Sequence, residues 1–255
     1  MLKADFTNKV ALVTGGARGI GRALCLEFAQ AGARVACVDI KREAGEETVA
    51  LVKKAGGEVI LLTADVTDPA GVRKYVQDTL DAYGRIDAFA NNAGYEGVVQ
   101  PITEYPDDVF DRVMTINVKG VFLGLKYVLP VMIKQGSGAV VNTGSIGSFI
   151  GSRGTSAYNA SKHAVMGLTR CAALEVARQG VRVNAVCPGG THTEMIRSID
   201  EGLGPGGVKQ ILDAIPDGRR AEPEEVARVI VFLASEMAAH ITGQSLIIDG
   251  GRLAG

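Results

Sequence analysis

Tyr158 and Lys162 are four residues apart, and this pair of residue types could transfer a proton. Residues four apart on a helix share one face, so the phenol and the ammonium would lie side by side. A free phenol has a pKa of roughly 10, which is too high for ready proton exchange at neutral pH. A nearby cation favours the phenolate and lowers this pKa, which makes Tyr158 a candidate general acid and base. Tyr and Lys at this spacing also occur on ordinary helix surfaces, so the rest of the chain must decide.

A glycine-rich segment, TGGARGIG at residues 14–21, suggests a second chemical function. It follows a short apolar run and leads into a helical pattern. Glycines let the backbone turn tightly, and they let a phosphate approach the amides at a helix N-terminus. The spacing departs from G-x-G-x-x-G, because three residues separate the first and second motif glycines. The segment therefore predicts a nucleotide phosphate site, with a plain glycine-rich turn as the alternative.

Asp39 ends the second apolar run, about 20 residues beyond the glycines, where a carboxylate can hydrogen-bond the ribose of an adenosine. The same carboxylate would repel a 2′-phosphate, so the sequence favours NAD(H) over NADP(H). Two observations leave the choice open. Asp39 could instead cap the following helix, and the cations Arg18, Lys41 and Arg42 lie close by in the sequence.

Composition and charge exclude several classes of function. The chain has 255 residues, of which 47% are hydrophobic, and its formal net charge is -1. Such a chain can bury a large core, and it has no overall field that would attract nucleic acid or an anionic membrane. The four cysteines and three histidines lack the spacing of metal ligands. We therefore predict no nucleic-acid partner, no membrane partner and no metal site.

The N-terminus carries charge where a signal peptide would be apolar. The longest apolar stretch, residues 121–133, is interrupted by Lys126 and is too short to span a bilayer. These two features predict a cytoplasmic protein.

Short β-branched runs alternate with helical patterns along most of the chain. The predicted strands are residues 9–14, 34–39, 58–63, 86–90, 139–142, 182–186 and 246–248. The predicted helices are residues 20–31, 42–55, 106–134, 157–178 and 224–235, with one more after Asp68 and Pro69. The strands are apolar throughout rather than alternating, which is typical of a parallel sheet covered on both faces by helices. The predicted fold class is α/β, a doubly wound parallel sheet of the Rossmann type with about seven strands.

Nothing in the sequence divides the chain into parts. It has no linker, no break in composition and no internal repeat. The glycine-rich residues 202–207 lie inside the continuing α/β pattern and are interpreted as a flexible loop. We predict one domain over residues 1–255, with a substrate loop at about 190–219.

Several motifs follow one another in the order that a known enzyme family shows. They are residues 14–21, the pair Asp65-Val66, residues 91–94, and the segments around Ser145 and Tyr158. With these motifs the chain resembles the short-chain dehydrogenase/reductase family over essentially its whole length. The resemblance extends to levodione reductase-like and 3-oxoacyl-carrier-protein reductase-like members.

The resemblance assigns residues to two groups. The implied catalytic residues are Asn117, Ser145, Tyr158 and Lys162. The implied cofactor-binding residues are Gly15, Arg18, Gly19, Ile20, Gly21, Asp39, Asp65, Val66, Asn92, Ala93, Gly94, Tyr158, Lys162, Pro188, Gly189, Thr191 and Thr193.

The family resemblance also implies a mechanism, the interconversion of an alcohol and a ketone by hydride transfer with a nicotinamide cofactor. Tyr158 would exchange a proton with the substrate oxygen, and Ser145 would hydrogen-bond that oxygen as charge develops on it. Lys162 would bind the nicotinamide ribose and lower the pKa of Tyr158. Asn117 would kink its helix and hold a water molecule through its backbone carbonyl.

The substrate is the part of the function that the sequence specifies least. The candidate substrate residues are Ser145, Tyr95, Glu96, Ile146, Phe149, Gly190, His192 and Met195, and each could equally be loop packing. Few cations occur among them, which favours an uncharged cyclic or aryl alcohol or ketone. The alternatives are an NADPH-dependent 3-oxoacyl-carrier-protein reductase and a non-catalytic nucleotide-sensing protein. The family resemblance further implies a homotetramer.

Overall fold

Seven apolar runs form the strands of one parallel sheet within residues 4–254, the part of the chain that the computed structural model describes. The strands are β1 (Val10–Thr14), β2 (Arg34–Asp39), β3 (Glu58–Thr63), β4 (Ala88–Asn91), β5 (Gly138–Thr143), β6 (Val181–Pro188) and β7 (Ser245–Ile248). Their order in the sheet is β3-β2-β1-β4-β5-β6-β7, and every pairing is parallel. Each predicted strand is present within two residues of its predicted bounds, and the predicted fold class is confirmed.

Eight helices connect and cover the strands in the same part of the chain. They are α1 (Gly19–Gln30), α2 (Arg42–Lys54), α3 (Pro69–Tyr83), α4 (Asp107–Met114), α5 (Gly120–Gln135), α6 (Ser156–Val176), α7 (Glu194–Asp213) and α8 (Pro223–Ala234). Two apolar cores lie on opposite faces of the sheet. Phe28 of α1 and Ile230 of α8 belong to one core, whereas Tyr75 of α3, Met132 of α5 and Val165 of α6 belong to the other.

The start and end of α3 follow directly from the sequence. The Asp68 carboxylate accepts hydrogen bonds from the amides of Ala70 and Gly71, and Pro69 occupies the first turn, where it loses no intrahelical bond. The helix ends at Gly84, which has a φ of 78° and so adopts the left-handed conformation that glycine tolerates best. The predicted cap at Asp68 is confirmed.

The helical region from Asp107 to Gln135 is continuous, with a π-helical segment at Thr115–Lys119 between α4 and α5. By length and composition alone this helix could cross a membrane, and half of its most apolar window is buried inside the fold. The apolar stretch of residues 121–133 is therefore part of a longer helix, which begins at Asp107. Buried residues such as Met132 show that part of its apolar surface belongs to the core.

The interpretation of residues 202–207 as a flexible loop is wrong, because these residues belong to α7. Thr193 caps the helix by accepting a hydrogen bond from the amide of Ile196 at 3.3 Å. Gly204 interrupts the helical backbone with a φ of 67° and a ψ of 172°, and Pro205 restarts it. The predicted substrate loop therefore contains a kinked helix, whose first limb, residues 194–203, precedes Gly204.

Candidate active site

The predicted site residues gather at the carboxyl ends of the parallel strands. Residues 15–21 follow β1, Asp39 ends β2, Asn92 follows β4, Ser145 follows β5 and Gly189 follows β6. In doubly wound sheets, ligands bind in the crevice outside these strand ends. The topology therefore places the glycine-rich segment and the Tyr158 helix on one edge of the molecule.

Tyr158, Ser145 and Lys162 converge at this edge. The Lys162 ammonium lies 5.5 Å from the centre of the Tyr158 ring, and the Ser145 hydroxyl is close enough to the phenol to lower its pKa. Lys162 is only 3% exposed, and its Nζ donates a hydrogen bond to the carbonyl oxygen of Thr143 at 2.8 Å. In the predicted pair, Lys162 is thus buried and Tyr158 is half-buried, unlike a pair on an ordinary helix surface.

Ser148 links the backbones that carry two of these side chains. Its hydroxyl donates a hydrogen bond to the carbonyl oxygen of Lys162 at 2.9 Å and accepts one from the amide of Ser145 at 3.3 Å. The Ser145 hydroxyl also accepts a hydrogen bond from the amide of Gly147 at 3.1 Å. Ser148 was not predicted from the sequence, although its position three residues after Ser145 matches a capping box.

The pKa of Tyr158 differs from the expectation. Its pKa is raised to about 12, mainly by burial and also by the negative charge of Glu96, whereas the nearby Ser145 hydroxyl acts to lower it. Burial also lowers the pKa of Lys162 to about 8, because it disfavours the charged ammonium. In the chain alone, burial therefore sets the direction of the Tyr158 pKa, and the lowering by Lys162 with a bound nicotinamide stays a prediction.

Asn117 is fully buried in the π-helical segment and links two parts of the site. Its side-chain oxygen accepts a hydrogen bond from the amide of Tyr95 at 2.8 Å, and its Nδ2 donates to the carbonyl oxygen of Tyr95 at 2.9 Å. The same Nδ2 donates to the hydroxyl of Ser161 at 2.9 Å, which in turn donates to the carbonyl oxygen of Tyr158 at 2.7 Å. The Asn117 side chain thereby fixes the segment after β4 to α6. Ser161, three residues after Tyr158, is a positioning residue that the sequence did not reveal.

The glycine-rich segment has little room for side chains. A methyl group added at Gly21 would lie 1.8 Å from the carbonyl oxygen of Gly15, and one at Gly15 would lie 2.9 Å from the Cα of Ala93. Gly15 and Gly19 also have positive φ angles of 66° and 50°. Such a close approach of bare backbone to a helix N-terminus suits a phosphate.

Asp39 is held between the glycine-rich segment and the turn after β2. Its carboxylate accepts hydrogen bonds from the amide of Ala17 at 3.0 Å and from the amide of Lys41 at 2.9 Å. The alternative that Asp39 caps α2 is wrong, since Lys41 is the N-cap of that helix. Two of the nearby cations have carboxylate partners, because Arg18 pairs with Glu194 and Arg42 pairs with Glu46.

The segment after β4 connects the glycine-rich segment to the catalytic residues. The Thr14 hydroxyl accepts hydrogen bonds from the amides of Asn92 and Ala93 at 3.0 and 3.2 Å, and the Asn92 side chain donates to the carbonyl oxygen of Thr14 at 3.1 Å. A methyl group added at Gly94 would lie 3.6 Å from the Nζ of Lys162. Asn92, Ala93 and Gly94 therefore lie between the two predicted groups of site residues.

The remaining predicted cofactor residues lie on neighbouring loops. Asp65 follows β3 and accepts two hydrogen bonds from Thr67, each 2.8 Å long, so its carboxylate orders the turn that carries Val66. The Gly189 amide, after Pro188, donates to the carbonyl oxygen of Ile248 at 2.9 Å. The hydroxyls of Thr191 and Thr193 donate to the carbonyl oxygens of Gly189 and Thr191, both at 3.3 Å.

Comparison with known proteins gives the same result as the motifs. A family model described as enoyl-(acyl carrier protein) reductase matches residues 15–252. Levodione reductase of Leifsonia aquatica is 42% identical over 98% of this chain and 96% of that protein. The chain is a short-chain dehydrogenase/reductase.

Other relatives of this short-chain dehydrogenase/reductase have several activities. Cyclohexanol dehydrogenase of Acinetobacter sp. (strain SE19) is 37% identical over 98% of this chain and 97% of that protein. The 3-oxoacyl-[acyl-carrier-protein] reductase of Thermotoga maritima is 41% identical over 96% of this chain and 97% of that protein. The chain is accordingly an NAD(P)-dependent oxidoreductase that acts on CH-OH groups, and the prediction of an enzyme is confirmed.

Solved structures agree in fold and differ in nucleotide. The crystal structure of levodione reductase superimposes with a TM-score of 0.94 at 41% identity, covering 98% of this chain and 99% of that chain. NAD+-bound xylitol dehydrogenase gives a TM-score of 0.93 at 36% identity, covering 96% and 99%. A structure described as a gluconate 5-dehydrogenase of Beutenbergia cavernae with bound NADP gives a TM-score of 0.92 at 36% identity. The match covers 98% of this chain and 99% of that chain. Structures similar to this enzyme therefore hold NAD+ or NADP.

The candidate substrate residues of the enzyme fall into two groups. Tyr95 and Glu96 are joined to the catalytic residues, the first through Asn117 and the second through its charge on Tyr158. The others are placed less closely. Ile146 and Phe149 follow Ser145, Gly190 precedes α7, and Met195 lies in the first turn of α7. The half-exposed His192 has its Nε2 3.9 Å from Glu222. No cluster of three or more His, Cys, Asp or Glu residues that could hold a metal ion lies within residues 4–254.

Replacing Glu96 by Gln is expected to lower the pKa of Tyr158, because a negative charge nearby disfavours the phenolate. The phenolate would then form at a lower pH than in the unmodified enzyme. The measurement is an ultraviolet titration of phenolate absorbance, from which the same titration of the Tyr158→Phe variant is subtracted. Ser145→Ala should shift the midpoint the other way, and an unchanged midpoint in Glu96→Gln would contradict the role of its charge.

Proposed function

We propose that this enzyme uses NAD(H) to interconvert a secondary alcohol and a ketone, with Tyr158 as the general acid and base. The observation that carries the proposal is the convergence of Tyr158, Ser145 and the buried Lys162 at one strand edge. A hydroxyl and a phenol that lie close together can both hydrogen-bond one substrate oxygen, which is the geometry required for proton transfer to it. The proposed substrate is uncharged and cyclic or aryl.

The residues present fit a nicotinamide dinucleotide. Gly15 and Gly21 of the glycine-rich segment have no room for a side chain, and Asp39 is fixed beside this segment. The Lys162 ammonium has three N–H donors, and Thr143 takes one of them. The remaining donors of Lys162 would hold the nicotinamide ribose. The bound nicotinamide supplies the hydride acceptor or donor.

The proton is handled by the chain itself. In the reduction direction, Tyr158 donates its hydroxyl proton to the carbonyl oxygen, while Ser145 donates a hydrogen bond to the same oxygen as it gains charge. In the oxidation direction, the Tyr158 phenolate accepts the proton of the alcohol. Because burial raises the pKa of Tyr158 to about 12, the phenolate needs a positive charge close to it, and the Lys162 ammonium is the chain's own cation there.

The preference for NAD(H) rests on the charges around Asp39. The carboxylate is anchored by two backbone amides and so cannot turn away from a ribose. Arg18 and Arg42 are each paired with a glutamate, which leaves them less available for a 2′-phosphate. The anchored negative charge is the stronger of the two arguments.

The proposed substrate class rests on the relatives and on the surroundings of Ser145. The cyclohexanol dehydrogenase relative acts, by its name, on a cyclic secondary alcohol. Ile146 and Phe149, which follow Ser145, add apolar surface next to it. The guanidinium of Arg112 stacks over Tyr95, 4.7 Å from the centre of the ring. The second candidate function is NADPH-dependent reduction of 3-oxoacyl thioesters, favoured by the Thermotoga maritima relative.

Replacing Tyr158 by Phe should remove the transferable proton and leave the ring in place. We expect turnover to fall by about 10²–10⁴-fold, the usual contribution of a general acid and base, with the NAD dissociation constant unchanged. Turnover is measured at saturating substrate, and nucleotide binding is measured by calorimetry. Tyr127→Phe is the matched control, because its hydroxyl contacts Arg73 on the exposed surface. Near-normal turnover in Tyr158→Phe would overturn the mechanism.

A substrate panel tests the two finer parts of the proposal. Cyclic secondary alcohols, aryl secondary alcohols and a 3-oxoacyl thioester are each assayed with both the NAD and the NADP couple. We expect turnover of a cyclic or aryl alcohol with NAD, because the Asp39 carboxylate is anchored beside the glycine-rich segment and the apolar Ile146 and Phe149 follow Ser145. Turnover of the alcohol with NADP alone would contradict the cofactor proposal only. Turnover of the thioester alone would contradict the substrate proposal.

We also propose that the enzyme is a homotetramer and cytoplasmic. Support for assembly comes from large apolar side chains that are exposed on its helices and on β7, namely Phe122, Leu174, Leu246 and Ile247. Exposed apolar patches on a folded chain commonly mark protein interfaces. Light scattering is expected to give four times the mass of one chain, and the mass of a monomer at working concentration would overturn the assembly.

A further inference from the structure

Helix α7 lies at the active-site edge although none of its twenty residues is buried. Helices in proteins are held mainly by burying an apolar face, because the backbone alone gives marginal stability in water. Other contacts must therefore hold α7 in place. Those contacts are found mainly on its first limb, residues 194–203.

The first limb reaches from the glycine-rich segment to the segment after β4. At its start, Glu194 pairs with Arg18, and a methyl group added at Gly19 would lie 3.0 Å from the Cγ2 of Thr193. At its end, a methyl group added at Gly202 would lie 2.7 Å from the Cβ of Val99. The limb thus covers the strand edge that carries the candidate site.

A buried ion pair holds the limb between these two ends. Both terminal nitrogens of Arg220 donate to the carboxylate of Asp200, each at 2.6 Å. Arg220 is 6% exposed, and its Nε has no hydrogen-bond partner within the described residues. A buried guanidinium depends on its carboxylate, since loss of the partner leaves an uncompensated charge.

Arg220 also touches the loop on the nicotinamide side of the site. A methyl group added at Gly190 would lie 3.2 Å from the Cγ of Arg220, and the Ala221 amide donates to the carbonyl oxygen of Gly190 at 3.0 Å. Thr191 and Ala221 form an isolated parallel bridge. Asp200 therefore connects α7, through Arg220, to the backbone of residues 190–191.

The two ion pairs of α7 differ in environment. The side chains of Arg18 and Glu194 are 46% and 58% exposed, whereas those of Arg220 and Asp200 are 7% and 21% exposed. Exposed pairs contribute little and are screened by salt, whereas a bidentate, desolvated pair defines a geometry. The buried pair is the one able to fix the position of the limb.

We propose that Asp200 and Arg220 are positioning residues that hold the first limb of α7 closed over the active site. They act through the helix and do not touch the reacting atoms. When the pair is broken, the closed conformation becomes only partly populated. The apparent affinity for substrate then falls in proportion to the fraction of molecules that remain closed. The rate of the chemical step in the closed conformation is unchanged. The kinetic part of this inference rests on the proposed reaction.

The test compares variants of the full-length enzyme. In Arg220→Met and Asp200→Asn, we expect the KM for the alcohol to rise about tenfold or more, with a smaller change in kcat. Hydrogen exchange of residues 194–213 should become faster, and exchange in the strands should stay slow. Arg220→Lys keeps the positive charge and loses the bidentate contact with Asp200. It should therefore give a KM and an exchange rate between those of the unmodified enzyme and Arg220→Met. This variant also keeps the test available if the other two fold poorly.

Arg85→Met is the matched control, because it breaks a similar contact at the opposite edge of the sheet. Arg85 donates to Asp87 at 2.8 and 2.6 Å, the Asp87 carboxylate is 8% exposed, and Asp87 precedes β4. This variant should lower stability without changing KM or the exchange of residues 194–213. The inference is overturned if Arg220→Met behaves like Arg85→Met in both measurements. Exchange needs no substrate, so faster exchange in Arg220→Met supports the structural role of the pair even if no alcohol is turned over, which would be a failure of the proposed reaction. Faster exchange with an unchanged KM for the alcohol would overturn the kinetic role of the pair.

Discussion

The burial of the Lys162 ammonium is the constraint on which the arrangement of the site depends. A charge withdrawn from water must be compensated by nearby acceptors, and the carbonyl oxygen of Thr143 at the end of β5 supplies one. This contact ties α6 to the sheet edge. Ser148, which bonds the carbonyl oxygen of Lys162 and the amide of Ser145, then sets the distance between the helix and the Ser145 loop. The position of the phenol follows from these contacts rather than from the four-residue spacing alone.

Polar side chains with fixed partners extend this order across the strand edge. Asn117 joins the segment after β4 to α6, and Thr14 joins the same segment to the glycine-rich loop. Each of these buried or partly buried groups has its hydrogen bonds satisfied by backbone or side chain, which favours one arrangement over others. The nucleotide end and the proton-transfer end of the molecule are therefore parts of one hydrogen-bonded structure.

The sequence predicted the strands, the cap at Asp68 and the residues at the strand edge, because apolar runs, helix caps and motif order are local properties. Properties that depend on distant parts of the chain could not be predicted. One is the burial that raises the pKa of Tyr158, which the spacing of residues along a helix does not reveal. Residues 202–207 resemble a loop in composition, yet one glycine with a positive φ lets two helical limbs meet there. The pairing of Asp200 with Arg220 joins side chains from two separate elements, and neither residue alone indicates it.

Helix α7 contributes no residue to either apolar core. Substitutions along it can therefore accumulate in evolution without loosening the sheet or the helices that pack on it, because core packing and α7 are energetically separate. In such a chain, substitutions in one surface helix can change which substrates bind, while the residues that transfer the proton stay the same. The lack of burial in α7 thus makes the scaffold easy to diversify.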